Sequence, residues 1–429
     1  MKQLHPSCCL LYFLLLPMAS LATVYYSQAG SDPCQPGNWN SLRAGGGSSP
    51  AVFTAGDVFV VQNGHQLTTG STWSISGSGA RLWIENGGTL IATDSVILSA
   101  ATTFQIDNGG TYIHDNPFAF GSTIFKGVEA FALNSTVELR NSNSTGPSGI
   151  SFGNLIINLQ HNTSNVNLNG AISTIAGNLT VLSTNGFELR LSTNTIYTLT
   201  IAGNLVISGG TVNGSSGTTA DRQFNLSIGG NFTQAGGTFT HTNTSPGSQL
   251  NLAFTGASST FSRTGGTLNA SNINWTVGNN ASLSLNSDFS VAASRTFTMN
   301  TGSSMNIAAG VSFSVAGTAD FNHQHVTLRS SIDGTATIPG ITGALLNADY
   351  VTTERFIGGP SPKRAWRLIA PTVTGTSINA AWQEGTTSGN PNPGYGTQIT
   401  GGTAINGFDG TGAASIKTYD GSNWVSNQL

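Results

Sequence analysis

Charge is what this chain has least of. Asp, Glu, Lys and Arg make up 8% of its 429 residues, against roughly 25% in ordinary globular proteins. The net charge is -3, and no basic stretch supplies the electrostatic footprint of a nucleic-acid partner. Cysteine is nearly missing too. Cys8 and Cys9 fall in the expected export signal, which leaves Cys34 alone. That excludes an intramolecular disulfide framework, and no zinc-ligand spacing is present. Long apolar runs are also absent. The run Leu10 to Leu16 is too short to span a bilayer, and no later stretch does better.

Polar character comes instead from hydroxyl and amide groups, together with 55 glycines. Such a composition suits a stack of identical positions. Like charges about 4.8 Å apart would repel, whereas Thr and Asn can hydrogen-bond up the stack.

A stack is what the repeats indicate. Gly153-Asn154-Leu155-Ile156-Ile157 recurs as Gly177-Asn178-Leu179-Thr180-Val181, Gly203-Asn204-Leu205-Val206-Ile207 and Gly230-Asn231-Phe232-Thr233-Gln234, at steps of 24, 26 and 27 residues. Ile175, Ile201 and Ile228 each stand two places before the glycine. Strand periodicity then puts Ile175, Gly177, Leu179 and Val181 on one face, and Ile201, Gly203, Leu205 and Ile207 repeat it. A second phrase, Gly-Gly-Thr, begins at Gly87, Gly109, Gly209, Gly236 and Gly265. A period of 20 to 30 residues with local alternation is the mark of a β-solenoid. The recurrent apolar face argues against a disordered low-complexity tract.

The predicted fold is all-β: a right-handed parallel β-helix followed by part of an antiparallel β-sandwich. Residues 1–22 read as a signal peptide, with Lys2, the apolar run, and Ser20-Leu21-Ala22 as a small-x-small cleavage site. Cys8 and Cys9 precede the apolar run, so they do not make a lipoprotein anchor. Residues 23–75 form an N-terminal cap and first coil, since a solenoid end must be covered. Residues 76–339 form the coils, about eleven of them over roughly 50 Å. Asp115 to Lys126 breaks the pattern and reads as a loop leaving the coil. Residues 340–429 bring charge, proline and aromatics and form the sandwich-like module. It begins directly after the coil at Thr335-Ala336-Thr337-Ile338, where a cap would hide an open strand edge. No closing turn or tail follows a strand-like Ile416 to Tyr419, as expected of a fragment.

Catalytic chemistry finds little support. Between Asn141 and Asn300 the charged residues are Glu188, Arg190, Asp221, Arg222, Arg263, Asp288 and Arg295. Glycosidic hydrolysis needs two carboxyl groups flanking one bond, and Glu188 and Asp221 lie at least one coil apart. Clustered acids for a calcium-assisted lyase are lacking as well. His323-Gln324-His325 could put two imidazoles on one strand face, as in a metal site, but no further His or Cys accompanies them, and a polar outer face is the plainer reading. His65 follows an Asn-Gly turn and reads as a turn residue. Trp366 and Trp382 could stack on sugar rings, although their apolar neighbours favour a sandwich core. Triplets such as Asn162-Thr163-Ser164 and Asn178-Leu179-Thr180 matter only if the host glycosylates them.

Two stretches carry a family resemblance. One runs from Ala55-Gly56-Asp57 to Asn63-Gly64-His65. The other comprises Val351 to Ile357, Arg364-Ala365-Trp366-Arg367-Leu368, Ala381-Trp382-Gln383-Glu384-Gly385 and Gly394 to Gly401. Together they resemble large secreted surface proteins of the Bacteroidetes phylum. The resemblance implies an export signal, a β-helix of Gly-Asn-Leu coils, a β-sandwich module and, in many such chains, a C-terminal signal for type IX secretion, which is not present here. It also implies a cell-surface, adhesin-like role and supplies no catalytic residues.

The expectation is therefore a secreted or outer-surface protein, cleaved near Ala22, that binds extracellular polysaccharide or another surface polymer. No catalytic residue, cofactor, metal, nucleic acid or membrane span is expected. The alternatives are a carbohydrate-active β-helix enzyme (polysaccharide lyase or glycoside hydrolase) and a carbohydrate-binding protein without turnover.

Overall fold

The computed structural model describes residues 22–28, 32–118, 120, 123–142, 149–356 and 417–426. Helix among them amounts to two three-residue 3-10 turns, Pro36–Asn38 and Ile124–Lys126. The rest is a parallel β-solenoid of about 12 turns. Met1 to Leu21 of the expected signal lies outside the described residues.

A thirteen-stranded sheet, from Gln66–Thr68 to Val351–Thr353, takes one strand from each coil and runs the length of the stack. The strand before it in each coil belongs to one of two sheets. Early coils contribute to a six-stranded sheet that ends at Val128–Phe131. Later coils contribute to a nine-stranded sheet from Ser151–Phe152 to Ala344–Leu346. A five-stranded sheet, Val166–Asn167 to Thr267–Leu268, closes the middle coils.

Apolar residues at alternate positions drive this packing. Leu155, Leu179, Leu205 and Phe232 stack in register, and all are buried with Ile157, Val181 and Ile207. The expected shared face is only half right. Ile175 lies in the nine-stranded sheet and Leu179 in the thirteen-stranded one. Gly177 marks the corner between them, so both side chains point inward from different walls. A Cβ at Gly203 would sit 2.5 Å from the Gly177 carbonyl oxygen, and one at Gly230 2.5 Å from Asn204 Oδ1. Glycine stands there because corner backbones stack on each other, not because of its backbone angle.

The Asn after each corner glycine ties one coil to the next. Asn154 Oδ1 accepts the backbone N–H of Asn178 (2.9 Å), Asn178 Oδ1 that of Asn204 (2.8 Å), and Asn204 Oδ1 that of Asn231 (2.8 Å). Asn231 Oδ1 accepts from Thr260 (2.9 Å), where the run of asparagines ends.

At the N-terminal end, Val24–Ser27 pairs with both Val58–Val61 and Trp39–Asn40. Trp39, Phe53, Phe59 and Trp73 pack ring against ring across the opening. Asp57 Oδ1 accepts the Thr23 N–H at 2.9 Å and so pins the chain entry to the first coil.

Two expectations need correction. Asp115 to Lys126 does not simply leave the coil: Asn116, Phe120, Ile124 and Phe125 are buried, and Asn116 Nδ2 donates to the Ala92 carbonyl. The strand register shifts between His114 and Asp115, where this segment begins. Nor do the coils stop at residue 339. Ala344–Leu346 extends the nine-stranded sheet and Val351–Thr353 the thirteen-stranded one, and Glu354 pairs with Arg329 of the preceding coil. The charge that suggested a new module begins inside the last turn.

The chain divides into two compact units, Met1–Phe356 and Ile357–Leu429. In the second, an antiparallel hairpin joins Lys417–Tyr419 to Trp424–Ser426. The Arg364, Trp366 and Trp382 phrases of the expected sandwich lie outside the described residues.

Candidate functional site: a neutral face and an open cleft

Sequence-suggested residues do not converge. His323 takes a left-handed backbone (φ 56°) in the turn before strand His325–Leu328, so the two imidazoles do not share a strand. His323 Nδ1 meets Asp349, and the His325 ring lies 5.2 Å from that of Tyr350. Each is engaged separately by the following coil. Among the described residues, no group of three or more His, Cys, Asp or Glu side chains gathers as a metal would require. His65 Nδ1 is hydrogen-bonded with the Ser27 hydroxyl at 2.9 Å, and that hydroxyl also accepts the Gln62 N–H. Glu188 pairs with Arg190 on its own strand at 2.7 Å, while Asp221 sits in a turn (φ 54°). Asn162 is buried and bonded through both side-chain atoms to Ser142, so it cannot carry a glycan. Asn178 is committed to the corner ladder.

Two features remain. The first is the outer face of the nine-stranded sheet. Inward positions such as Leu199, Leu226, Leu252 and Trp275 are buried, so their strand neighbours face out. One outward row runs Thr198, Asn225, Asn251, Asn274 and the other Thr200, Ser227, Ala253, Thr276, Thr298. Asn251 Nδ2 donates to Asn225 Oδ1 and Asn274 Nδ2 to Asn251 Oδ1, each at 3.1 Å. From Thr174–Ile175 to Thr296–Met299 the strands of this sheet hold no charged residue. The result is a grid of hydroxyl and amide groups, interrupted at Ala253, about 4.8 Å between rungs and about 7 Å between rows.

The second feature is a break. Consecutive coils pair on the thirteen-stranded side, where Thr136–Asn141 meets Asn154–Leu159. On the opposite side Val128–Phe131 and Ser151–Phe152 are both terminal strands. Between them opens a cleft of about 920 Å³, lined by Gln105, Asp107, Glu129, Phe131, Ser151 and Phe152 among others. It narrows to nothing at Gly153, where a Cβ would strike the Ala132 carbonyl oxygen. Glu129 is in register with the buried Phe104 and so points inward. Its Oε1 is buried without a partner, and burial raises its pKa above the usual carboxylate value.

Sequence reading missed this pair of carboxylates, because Asp107 and Glu129 belong to successive coils. The two differ in setting: Asp107 accepts from Trp83 Nε1 (2.9 Å) and Gln105 Nε2 (2.8 Å), whereas Glu129 is in register with the inward Phe104.

No helix among the described residues is long and apolar enough to cross a membrane. Comparison with protein families, with curated proteins and with solved structures found no match to this chain.

Proposed function

We propose that the chain is an exported, surface-exposed β-helix protein that adheres to neutral extracellular polymers, polysaccharide foremost, without turning them over. The grid on the nine-stranded sheet carries this reading. Its rungs repeat on the length scale of a polymer, and its hydroxyl and amide groups suit a ligand rich in hydroxyls. Many weak contacts along such a face add by avidity. Lack of charge keeps the face indifferent to ionic partners. In this reading the coils wind right-handed, as parallel crossovers do, and the antiparallel hairpin at Lys417–Tyr419 belongs to a β-sandwich module. The resemblance to Bacteroidetes surface proteins supports export after cleavage near Ala22.

The test is a glycan array of neutral polysaccharides run beside a reducing-sugar assay on the full chain. Binding without sugar release is expected, and Asn251→Lys with Thr200→Lys should weaken it without lowering the melting temperature. Release of reducing ends would establish the carbohydrate-active enzyme instead. Binding unchanged in the double variant would remove the grid from the function.

A further inference from the structure

The break in the six-/nine-stranded side leaves two strand edges facing each other, those of Val128–Phe131 and Ser151–Phe152. In a parallel ladder, successive residues point their N–H and C=O to opposite sides. The amides of Val128 and Ala132 bond back to Thr102 and Ile106. Those of Glu129 and Phe131 therefore point into the cleft. Across it, Phe152 gives its carbonyl to the Ala176 N–H of the next coil, which turns the Ser151 groups toward the cleft. The rim is apolar: Val128 is 60% exposed and Leu133 57%. The floor is aromatic, with the Phe131 and Phe152 rings stacked 6.1 Å apart. One carboxyl, Glu129, stands inside with its Oε1 unpartnered, and the same group accepts from its own backbone N–H.

We propose that this cleft takes an extended polypeptide strand, added to the edge of Val128–Phe131, which carries a lysine or arginine side chain to Glu129. Open backbone groups at strand spacing are what an added strand recognises. The apolar rim and aromatic floor accept its alternate side chains, and the Glu129 carboxylate selects a cation among them. The wedge closes at Ala132 and Gly153, so the guest enters from the Val128 side and is short, about four residues or roughly 13 Å. A sugar ring would leave the Phe131 amide and the open carbonyls of this edge unmet.

The experiment uses the full chain and fluorescent, capped hexapeptides that alternate valine with lysine, with threonine or with glutamate. By anisotropy the lysine peptide should bind about ten-fold tighter than the glutamate peptide. Glu129→Gln, close in shape to the native residue, should abolish that preference and leave the threonine peptide unchanged. A lysine peptide N-methylated on its alternate amides should not bind. Equal binding of the methylated peptide, or a lysine preference that survives Glu129→Gln, would overturn the proposal. So would self-association of the chain by light scattering that Glu129→Gln abolishes, because the occupant would then be a second copy.

Discussion

The two stretches of solenoid on either side of the break use the same residue for different reasons. In the early coils the corner into the thirteen-stranded sheet is an Asn-Gly turn. Gly64, Gly87 and Gly109 take φ of 76°, 75° and 78°, a left-handed conformation that Gly and Asn tolerate best. In the middle coils Gly153, Gly177, Gly203 and Gly230 are not left-handed. They are glycine because a neighbouring coil's oxygen occupies the place of a side chain. The early outer face is correspondingly irregular and polar, with Arg43 paired to Glu85 at 2.6 Å and Trp83 bonded to Asp107. The later face is a neutral grid. A repeat of glycine in sequence thus fixes neither the geometry of the corner nor the chemistry of the face beside it.

That contrast can be broken or sharpened by substitution. The largest effect is expected inside the middle coils. Leu205→Asp buries an unpaired charge at a fully enclosed rung and should cost more than about 4 kcal/mol, whereas Thr180→Asp on the outer face should cost less than about 1 kcal/mol. Thermal melts of the two would reveal a wrong assignment of inside and outside if they matched.

Next is acid. Burial holds both His114 and His241 down at about 4, below the ordinary 6.5, and for His241 Arg295 adds to the effect. A depressed histidine carries no protonation penalty above about pH 6.5, and the fold loses stability as pH falls from there toward 4. The expected loss is about 3 kcal/mol per histidine. The two differ at neutral pH. His114 accepts from the Tyr112 hydroxyl and donates to the Phe118 carbonyl, while neither nitrogen of His241 has a partner. His114→Leu should therefore cost about 1–3 kcal/mol at pH 7. His241→Leu should be neutral or stabilising there and should flatten the acid limb in denaturant titrations.

The corner glycines give the most direct comparison. Gly87→Asn should cost less than about 1 kcal/mol, since Asn accepts φ of 75°. Gly203→Asn should cost about 3 kcal/mol, because its Cβ meets backbone that cannot yield. Equal melting temperatures would erase the distinction. The smallest effect is expected at Arg43→Ala. It removes an ion pair from a side chain that is half exposed, worth under about 1 kcal/mol and less in high salt.

Much of this was legible in the chain. The spacing of Leu155, Leu179, Leu205 and Phe232 gave the stack, because each rung repeats the same burial. What sequence did not show depends on which coil a residue lands against. Ile175 and Leu179 look like one strand, and only the crowding at Gly177 reveals a corner. Glu129 alternates correctly with Phe131, so nothing local signals that its strand ends a sheet. Gly-Gly-Thr begins strands of the thirteen-stranded sheet at Thr89 and Thr111 but of the five-stranded sheet at Thr211, Thr238 and Thr267. Ala344–Leu346 and Val351–Thr353 are short strands of a kind that a sandwich would also use. Only their long-range register assigns them to the last turn.

The asparagine ladder has a direction. Each side-chain oxygen serves the backbone amide of the coil that follows, never the one before. In amide hydrogen exchange, the loss of one asparagine is therefore reported one turn downstream of the lesion. Asn204→Ala leaves the Asn204 amide shielded by Asn178 and exposes that of Asn231. Protection along the stack is handed on from coil to coil, and each corner is kept closed by its predecessor.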